Sequence, residues 1–208
     1  SSPTRYRSVA LFCCSAILYL ASPASSQGRG LKSVRLSSGK EMALYSASYA
    51  LVIGVKSYEH WDRLINPVRD AHQVGDALER QGFAVTRLDD PDAQSLMAGL
   101  NAFAYGEAGQ DREARVVVFF AGHGHTEESA SGPRGYILPK DTPLPVKDKV
   151  GFMAKAVSMV KVEELATGML SKHVLFIFDS CFSGTLLRGN AHPQPITEKT
   201  TKQVRQFI

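Results

Sequence analysis

The chain has 208 residues, enough for one domain with a sizeable hydrophobic core. Its 24 Lys and Arg against 20 Asp and Glu give a net charge of +4, and 44% of its residues are hydrophobic, as in an ordinary globular protein. Because the basic residues are scattered rather than clustered, the composition gives no indication of a nucleic-acid-binding surface.

Residues 1–26 have the pattern of a secretory signal peptide. Arg5 and Arg7 precede an apolar stretch over 9–21, and small residues follow it. This stretch is shorter than the roughly 20 apolar residues that span a bilayer. We therefore expect cleavage near 24–27 and export to a periplasmic or extracellular space. The alternative is an N-terminal anchor that stays attached.

The chain contains three cysteines, of which Cys13 and Cys14 lie in the expected signal peptide. Its removal would leave Cys181 alone. A single thiol cannot form an internal disulfide, so Cys181 is a candidate reactive group.

The next segment, 27–47, is rich in Ser, Gly and Lys and predicts a linker or a weak lead-in hairpin. We expect the folded domain to cover 48–208. Within it, apolar runs predict strands over 49–55, 83–88, 114–121 and 173–179. Helical spacing of apolar residues predicts helices over 67–80, 92–105 and 162–170. Strands alternating with helices predict an α/β domain with a mostly parallel sheet flanked by helices.

Local signals mark the ends of the first helix and a long surface excursion. Asn66 and Pro67 predict the cap and the first position of this helix, and Gly82 predicts its C-terminal end. The segment 126–157 is rich in Gly, Pro and charge, with one short extended piece at 135–139. A loop this long at a strand end usually carries function.

Two buried strands each deliver a reactive side chain just beyond their C-terminal end. His123 follows one apolar run and Cys181 follows the other. Ligands bind at this edge of a parallel sheet. An imidazole that takes the thiol proton produces an activated thiolate, and it can then protonate the leaving amine. The N–H groups of Gly124 and Cys181 are candidate donors to an oxyanion.

Two carboxylates are expected near this pair. Asp179 lies two residues before Cys181, so both point to the same side of an extended chain, and Asp70 lies just past the end of the first strand. Together they would favour a cationic substrate group. The alternatives are that Asp179 only holds the turn through backbone hydrogen bonds and that Asp70 is a helix-start charge.

Other polar and aromatic residues allow alternative interpretations. His125 is a rival base, because it shares a strand face with His123 if the chain stays extended. Tyr58 and Trp61 either belong to the core or cover a substrate groove. A zinc site built from histidines and Cys181 is disfavoured, since the spacing fits no closed Cys/His pattern, and we expect no metal. The residues considered for it are His123, His125, His173 and Cys181.

The chain over 49–184 resembles the caspase-like cysteine peptidases, and among them most closely the bacterial metacaspase-like branch. The matching pieces are ALVIGV at 50–55, NPVRDA at 66–71, GFAV at 82–85, FFAGHG at 119–124, GYILP at 135–139 and DSCFSG at 179–184. The resemblance implies a three-layer sandwich with a central, mostly parallel sheet. It also implies two further C-terminal strands in a p10-like part, which we expect to lie beyond this p20-like chain.

The same resemblance implies a cysteine endopeptidase with Cys181 as the nucleophile and His123 as the general base. Carboxylates matching Asp70 and Asp179 line the pocket in the metacaspase branch, which implies cleavage after Arg or Lys. The metacaspase motif usually has His where this chain has Phe182. The alternative function is a catalytically inactive caspase-fold interaction module.

Expected partners are protein or peptide substrates with a basic residue before the cut, and neither nucleic acid nor a membrane is expected after signal removal. The bond after Arg188 is a candidate self-cleavage site. No cofactor is expected. Calcium activates some relatives, but no acidic cluster in this sequence predicts it.

Overall fold

The computed structural model describes residues 33–35, 39, 41–130 and 132–180. Its first elements are the antiparallel strands β1 (Ser33–Arg35) and β2 (Glu41–Ala43). The others, in chain order, are β3 (Ser48–Gly54), α1 (Pro67–Arg80), β4 (Ala84–Asp89), α2 (Ala93–Tyr105), α3 (Glu107–Gln110), β5 (Arg115–Ala121), β6 (Gly124–Glu127), β7 (Arg134–Ile137), α4 (Lys149–Lys155), β8 (Val157–Ser158), α5 (Met159–Gly168) and β9 (His173–Asp179).

A parallel sheet with the strand order β4-β3-β5-β9 forms the centre of the fold. In its register Gly54, Ala121 and Asp179 lie level with one another, and Asp89 lies level with Gly54 on the other side. The four strands therefore end together at one edge, called here the carboxyl edge. This arrangement confirms the predicted α/β class with a mostly parallel sheet.

Helices cover both faces of this sheet, which explains the continuous apolar runs of its central strands. Leu51 and Phe120 belong to the main core, which also contains side chains of α2 and α5. Val52 and Phe119 point to the opposite face and pack in a second cluster with Ala71 of α1. Burying one such side chain contributes about 1.5–3 kcal/mol, so the two clusters fix the three-layer arrangement.

The start of α1 is as predicted, whereas that of α5 is not. Asn66 is the N-cap and Pro67 begins α1, although the Asn66 backbone is helical (φ −101°, ψ −23°) and its side chain makes no capping hydrogen bond. α5 begins at Met159 rather than at 162, because the Ser158 hydroxyl accepts a hydrogen bond from the N–H of Lys161 at 3.1 Å. The expected glycine after α1 is confirmed by the left-handed φ of +82° at Gly82.

The long excursion is more ordered than its composition predicts. Together with α4 it forms a separate sheet of three short antiparallel strands, β6, β7 and β8, called here the small sheet. Tyr136, Leu138 and Phe152 are buried in a third cluster, on which Tyr58 and Trp61 pack. Strands of two to four residues carry too little periodicity to be recognised from sequence, which is why only the piece around Tyr136 was predicted. No helix in the described part of the chain combines the length and apolar content needed to cross a membrane.

Candidate active site

The neighbouring strands β5 and β9 bring the segments of the two candidate catalytic residues together. Ala121 lies opposite Asp179, and the N–H of Gly122 donates to the carbonyl oxygen of Asp179 at 3.3 Å. His123 lies two residues beyond Ala121, at the carboxyl edge. Cys181 comes two residues after Asp179 in the sequence and lies outside the described residues. The expected self-cleavage position, Arg188, lies outside them as well.

The imidazole of His123 is held by the loop that follows β3. Its Nε2 lies 2.8 Å from the carbonyl oxygen of Asp62. A carbonyl oxygen can only accept a hydrogen bond, so Nε2 carries the proton. In the neutral ring this leaves the lone pair on Nδ1, which is the atom that can act as a base.

The backbone of His123 is held by Tyr58 of the same loop. The N–H of His123 donates to the Tyr58 hydroxyl at 2.7 Å, and this hydroxyl donates to the carbonyl oxygen of Leu138 at 3.2 Å. The Tyr58 and His123 rings are in contact, with centroids 4.6 Å apart. Burial raises the pKa of Tyr58 far above its usual value, the His123 N–H partly offsets this, and the Asp90 charge adds to it. The phenol therefore stays protonated and keeps donating.

Asp90 anchors the start of this loop. Its carboxylate accepts hydrogen bonds from the N–H groups of Lys56 and Ser57 at 2.7 and 2.9 Å, and its own N–H donates to the Gly54 carbonyl at 2.8 Å. To do so it adopts a left-handed backbone with φ of 47°, which Asp tolerates better than most residues. Burial raises the pKa of Asp90, but the hydrogen bonds from Lys56 and Ser57 outweigh it and hold the pKa below its usual range.

His125 is engaged differently from His123. Its Nε2 lies 2.8 Å from Oε1 of Glu127, and its ring contacts Phe152. Trp61 lies beside both histidine rings, at centroid distances of 5.9 Å from His123 and 5.3 Å from His125, and its indole N–H donates to the Thr142 carbonyl at 3.0 Å.

Glu127 links His125 to a positive charge on α4. Its carboxylate accepts a hydrogen bond from the ammonium group of Lys149 as well as contacting His125. The bond from Lys149 lowers the pKa of Glu127, burial opposes this, and the bond with His125 lowers it further. His125 therefore belongs to a local network with Glu127 and Lys149 beside Trp61. His123, by contrast, lies at the end of β5.

Both predicted carboxylates lie at the carboxyl edge. Asp179 is the last residue of β9 and is exposed, and Asp70 lies in the first turn of α1 with its side chain 34% exposed. α1 approaches the sheet closely here, because a Cβ on Gly54 would lie only 2.6 Å from the Cα of Val68. The Asp70 carboxylate lies 3.5 Å from Nε of Arg69.

Gly124, the predicted oxyanion donor, lies on the edge strand of the small sheet. It is opposite Ile137, next to the pair in which the Leu138 N–H donates to the His123 carbonyl at 3.1 Å. Hydrogen-bonded and non-hydrogen-bonded pairs alternate along antiparallel strands. Gly124 therefore occupies a non-hydrogen-bonded position, and its N–H points away from β7.

The sequence predicts His123 as the candidate base but does not predict the groups that hold it. It leaves the role of Tyr58 open, and it does not point to the Asp62 carbonyl or to Asp90. The only local signal was the pair Asp89-Asp90 before Pro91, since Asp favours turns after a strand. Within the described ranges, no group of three or more His, Cys, Asp and Glu is arranged to hold a metal ion.

Residues 47–206 match the family described as the caspase domain, peptidase C14. Among solved structures, the fold is similar to the crystal structure of protein GSU0716 from Geobacter sulfurreducens, with a TM-score of 0.51 and 20% sequence identity. The alignment covers 77% of this chain and 63% of that one, so this chain spans less than two thirds of its length. No curated protein matches the chain at a significant level. Because the family match covers most of the sequence, the chain belongs to the caspase-domain family of peptidases.

Proposed function

We propose that the protein is a cysteine endopeptidase in which His123 activates Cys181. The observation that carries this proposal is the hydrogen bond between Nε2 of His123 and the Asp62 carbonyl, because it leaves Nδ1 as the basic atom. The register that levels Ala121 with Asp179 supports it further, since the two reactive residues follow these positions by the same number of residues.

The chemistry follows the acyl-transfer sequence of a Cys/His pair. Nδ1 of His123 takes the thiol proton, and the Cys181 thiolate attacks the carbonyl carbon of the scissile amide. The C–N bond breaks as His123 returns the proton to the leaving amine, which leaves a thioester on Cys181. Water, deprotonated by His123, then hydrolyses the thioester and restores the thiol.

The N–H groups of Gly124 and Cys181 are the proposed donors to the oxyanion of the tetrahedral intermediate. For Gly124 this is supported by its non-hydrogen-bonded position on an edge strand, where its N–H is not used by β7. A glycine at this position also leaves room for a substrate carbonyl to approach the backbone.

Substrate peptides with Arg or Lys before the cut are proposed from Asp70 and Asp179. The support is that both carboxylates are at the carboxyl edge with His123 and are at least partly exposed. Two carboxylates around one guanidinium give charge-assisted hydrogen bonds, which are about twice as strong as neutral ones. These features also favour the metacaspase-like branch of the family.

The first test is hydrolysis of fluorogenic peptides ending in Arg, Lys or Asp, with calcium or with a chelator. We expect the parent to cut the Arg and Lys peptides, and Cys181→Ala and His123→Ala to reduce the rate to background. His125→Ala is the matched control, because it removes the rival imidazole. A loss for His125→Ala as large as that for His123→Ala would move the base to His125.

Thiol alkylation tests the activation step without a substrate. An activated Cys181 should react with iodoacetamide at pH 6–7 much faster than free cysteine, and His123→Ala should slow the reaction. If the folded parent hydrolyses none of the peptides and its thiol reacts no faster than free cysteine, the protein is an inactive interaction module of the same fold.

A further inference from the structure

The hydrogen bonds between His123 and Leu138 are irregular. The register that pairs Gly124 with Ile137 puts these two residues opposite each other, in a pair that normally exchanges two backbone hydrogen bonds. One is present, from the Leu138 N–H to the His123 carbonyl at 3.1 Å. In place of the second, the Tyr58 hydroxyl accepts from the His123 N–H at 2.7 Å and donates to the Leu138 carbonyl at 3.2 Å. We call this arrangement the hydroxyl bridge.

The hydroxyl bridge is tightly packed on the side of Gly122. A Cβ on Gly122 would lie 2.7 Å from the Tyr58 oxygen and 3.0 Å from Cζ of Phe120, so only glycine fits beside it. The Tyr58 ring packs on the imidazole of His123 and on the third core cluster. The hydroxyl therefore lies between His123, one residue before β6, and Leu138, one residue after β7.

The loop that provides Tyr58 also provides the acceptor for the imidazole. Tyr58 holds the backbone of His123, while the Asp62 carbonyl holds Nε2. The loop is tied to the rest of the fold by Asp90 at its start and by the N–H of Glu59, which donates to the Lys140 carbonyl at 2.9 Å. The loop that follows β3 thus positions both the backbone and the imidazole of His123.

We propose that Tyr58 is a positioning residue for the candidate base: its hydroxyl keeps the strands apart at His123 and thereby keeps the imidazole on the Asp62 carbonyl. This proposal rests on the proposed function for His123. Without the hydroxyl, the His123 N–H can close directly onto the Leu138 carbonyl, which would draw the His123 backbone toward β7. The imidazole would then move relative to Asp62, and displacements of about 1 Å can cost about 100-fold in rate.

The test is Tyr58→Phe, which removes the hydroxyl and keeps the ring. We expect kcat to fall by about 10- to 100-fold while KM changes by less than about twofold, because substrate contacts are untouched. In ¹⁵N NMR, the neutral His123 of the parent should show the Nε2–H tautomer, and the variant should show a shifted or mixed population. The pH profile of Cys181 alkylation should change with it.

The matched control is Tyr136→Phe. Tyr136 is buried in the same cluster, and its hydroxyl donates to the sulfur of Met153 at 3.8 Å. This variant should leave kcat, the alkylation profile and the His123 signals close to those of the parent. A purely structural role of Tyr58 would lower thermal stability in Tyr58→Phe and leave these three readouts unchanged, which would overturn the proposal.

Gly122→Ala provides a second variant if Tyr58→Phe folds poorly. Its methyl group would displace the Tyr58 oxygen, so it should reproduce the loss of kcat and the altered His123 signals. In the double variant the two losses should be less than additive, because the oxygen that the methyl group displaces is already absent. Fully additive losses would contradict the hydroxyl bridge.

The NMR readout separates this proposal from the proposed function. If the parent cuts no peptide, the endopeptidase assignment fails, whereas the tautomer of His123 in the parent and in Tyr58→Phe still tests the positioning role. If the parent is active and Tyr58→Phe keeps both its kcat and its His123 signals, only the role of Tyr58 is excluded.

Discussion

At the scale of single residues, the candidate base depends on groups that do no chemistry themselves. His123 could be predicted from its sequence, because an apolar run followed by glycines marks a strand end. Its partners could not, since the Asp62 contact and the Tyr58 contact join residues 61 and 65 positions apart. Local propensity and spacing do not indicate that the Tyr58 hydroxyl lies between His123 and Leu138. Every residue has a backbone carbonyl, so the sequence does not single out that of Asp62.

Asp90 should make stability depend on pH in the acid range. Its pKa in the folded state is below the value of about 3.9 for an unfolded chain, so its contribution is present above that value and is lost as pH falls through the folded pKa. Asp90→Asn, which tolerates the same left-handed φ, should lower the free energy of unfolding by about 1 kcal/mol at pH 7.

Urea unfolding of parent and Asp90→Asn at pH 7 and near pH 3 measures this difference. The gap between the two proteins should shrink at the lower pH, because protonation of Asp90, which begins in the unfolded chain, removes the stabilisation that the charge provides. Glu163→Gln, at an exposed position on α5, controls for the loss of one negative charge. A gap that is the same at both pH values would show that the charge of Asp90 is not what matters.

If the proposed function is right, Asp70 and Asp179 should act on the charge of the substrate. Asp70→Asn and Asp179→Asn keep the side-chain size and remove one charge each, so each should lower kcat/KM for an Arg peptide by about 10-fold or more. The double variant should lose less than the product of the two factors, because both carboxylates would contact one guanidinium. The comparison is a set of steady-state measurements with Arg, Lys and Ala peptides. Equal losses on the Ala peptide would exclude charge recognition.

At the scale of elements, the central strands and helices could be predicted almost to their ends, whereas the excursion could not. β9 spans His173–Asp179 as its apolar run indicates, because seven consecutive residues are enough to recognise a buried strand. The sheet formed by β6, β7 and β8 is held by the burial of Tyr136, Leu138 and Phe152. These lie in β7, just after it and in α4, and both elements are too short to show a period. Tertiary packing, rather than propensity, therefore decides that part of the chain.

The contact between β3 and α1 gives a prediction at this scale. Gly54→Ala would put a methyl group 2.6 Å from Cα and 2.9 Å from N of Val68, and backbone atoms cannot move aside as a flexible side chain can. We expect a loss of about 1–3 kcal/mol in the free energy of unfolding and a higher KM for Arg peptides, because Asp70 lies in the displaced turn.

Gly75→Ala is the control on the same helix. The atoms nearest its methyl group would be those of the Arg87 guanidinium, at 3.1 Å, which pairs with Asp76 and Glu79. The end of a side chain can shift more easily than a backbone atom, and Ala favours a helix over Gly by about 1 kcal/mol. Chemical denaturation should therefore place this variant near or above the parent in stability. If Gly54→Ala were equally stable, the close approach of α1 to the sheet would not be what sets the position of Asp70.

For the molecule as a whole, the order of the motifs predicts the family and the parallel sheet. The contacts of the candidate site are harder to predict, because they join residues that are far apart in the sequence. The contact between Tyr58 and the Leu138 carbonyl closes a loop of 80 residues, and the contact between Asp62 and His123 closes one of 61. Contacts of such long range form only after a large loss of chain entropy, and they tend to form late in folding. A partly folded chain therefore has the histidine but not the contacts that orient its imidazole. If His123 is the base proposed above, activity would appear only with the last steps of folding.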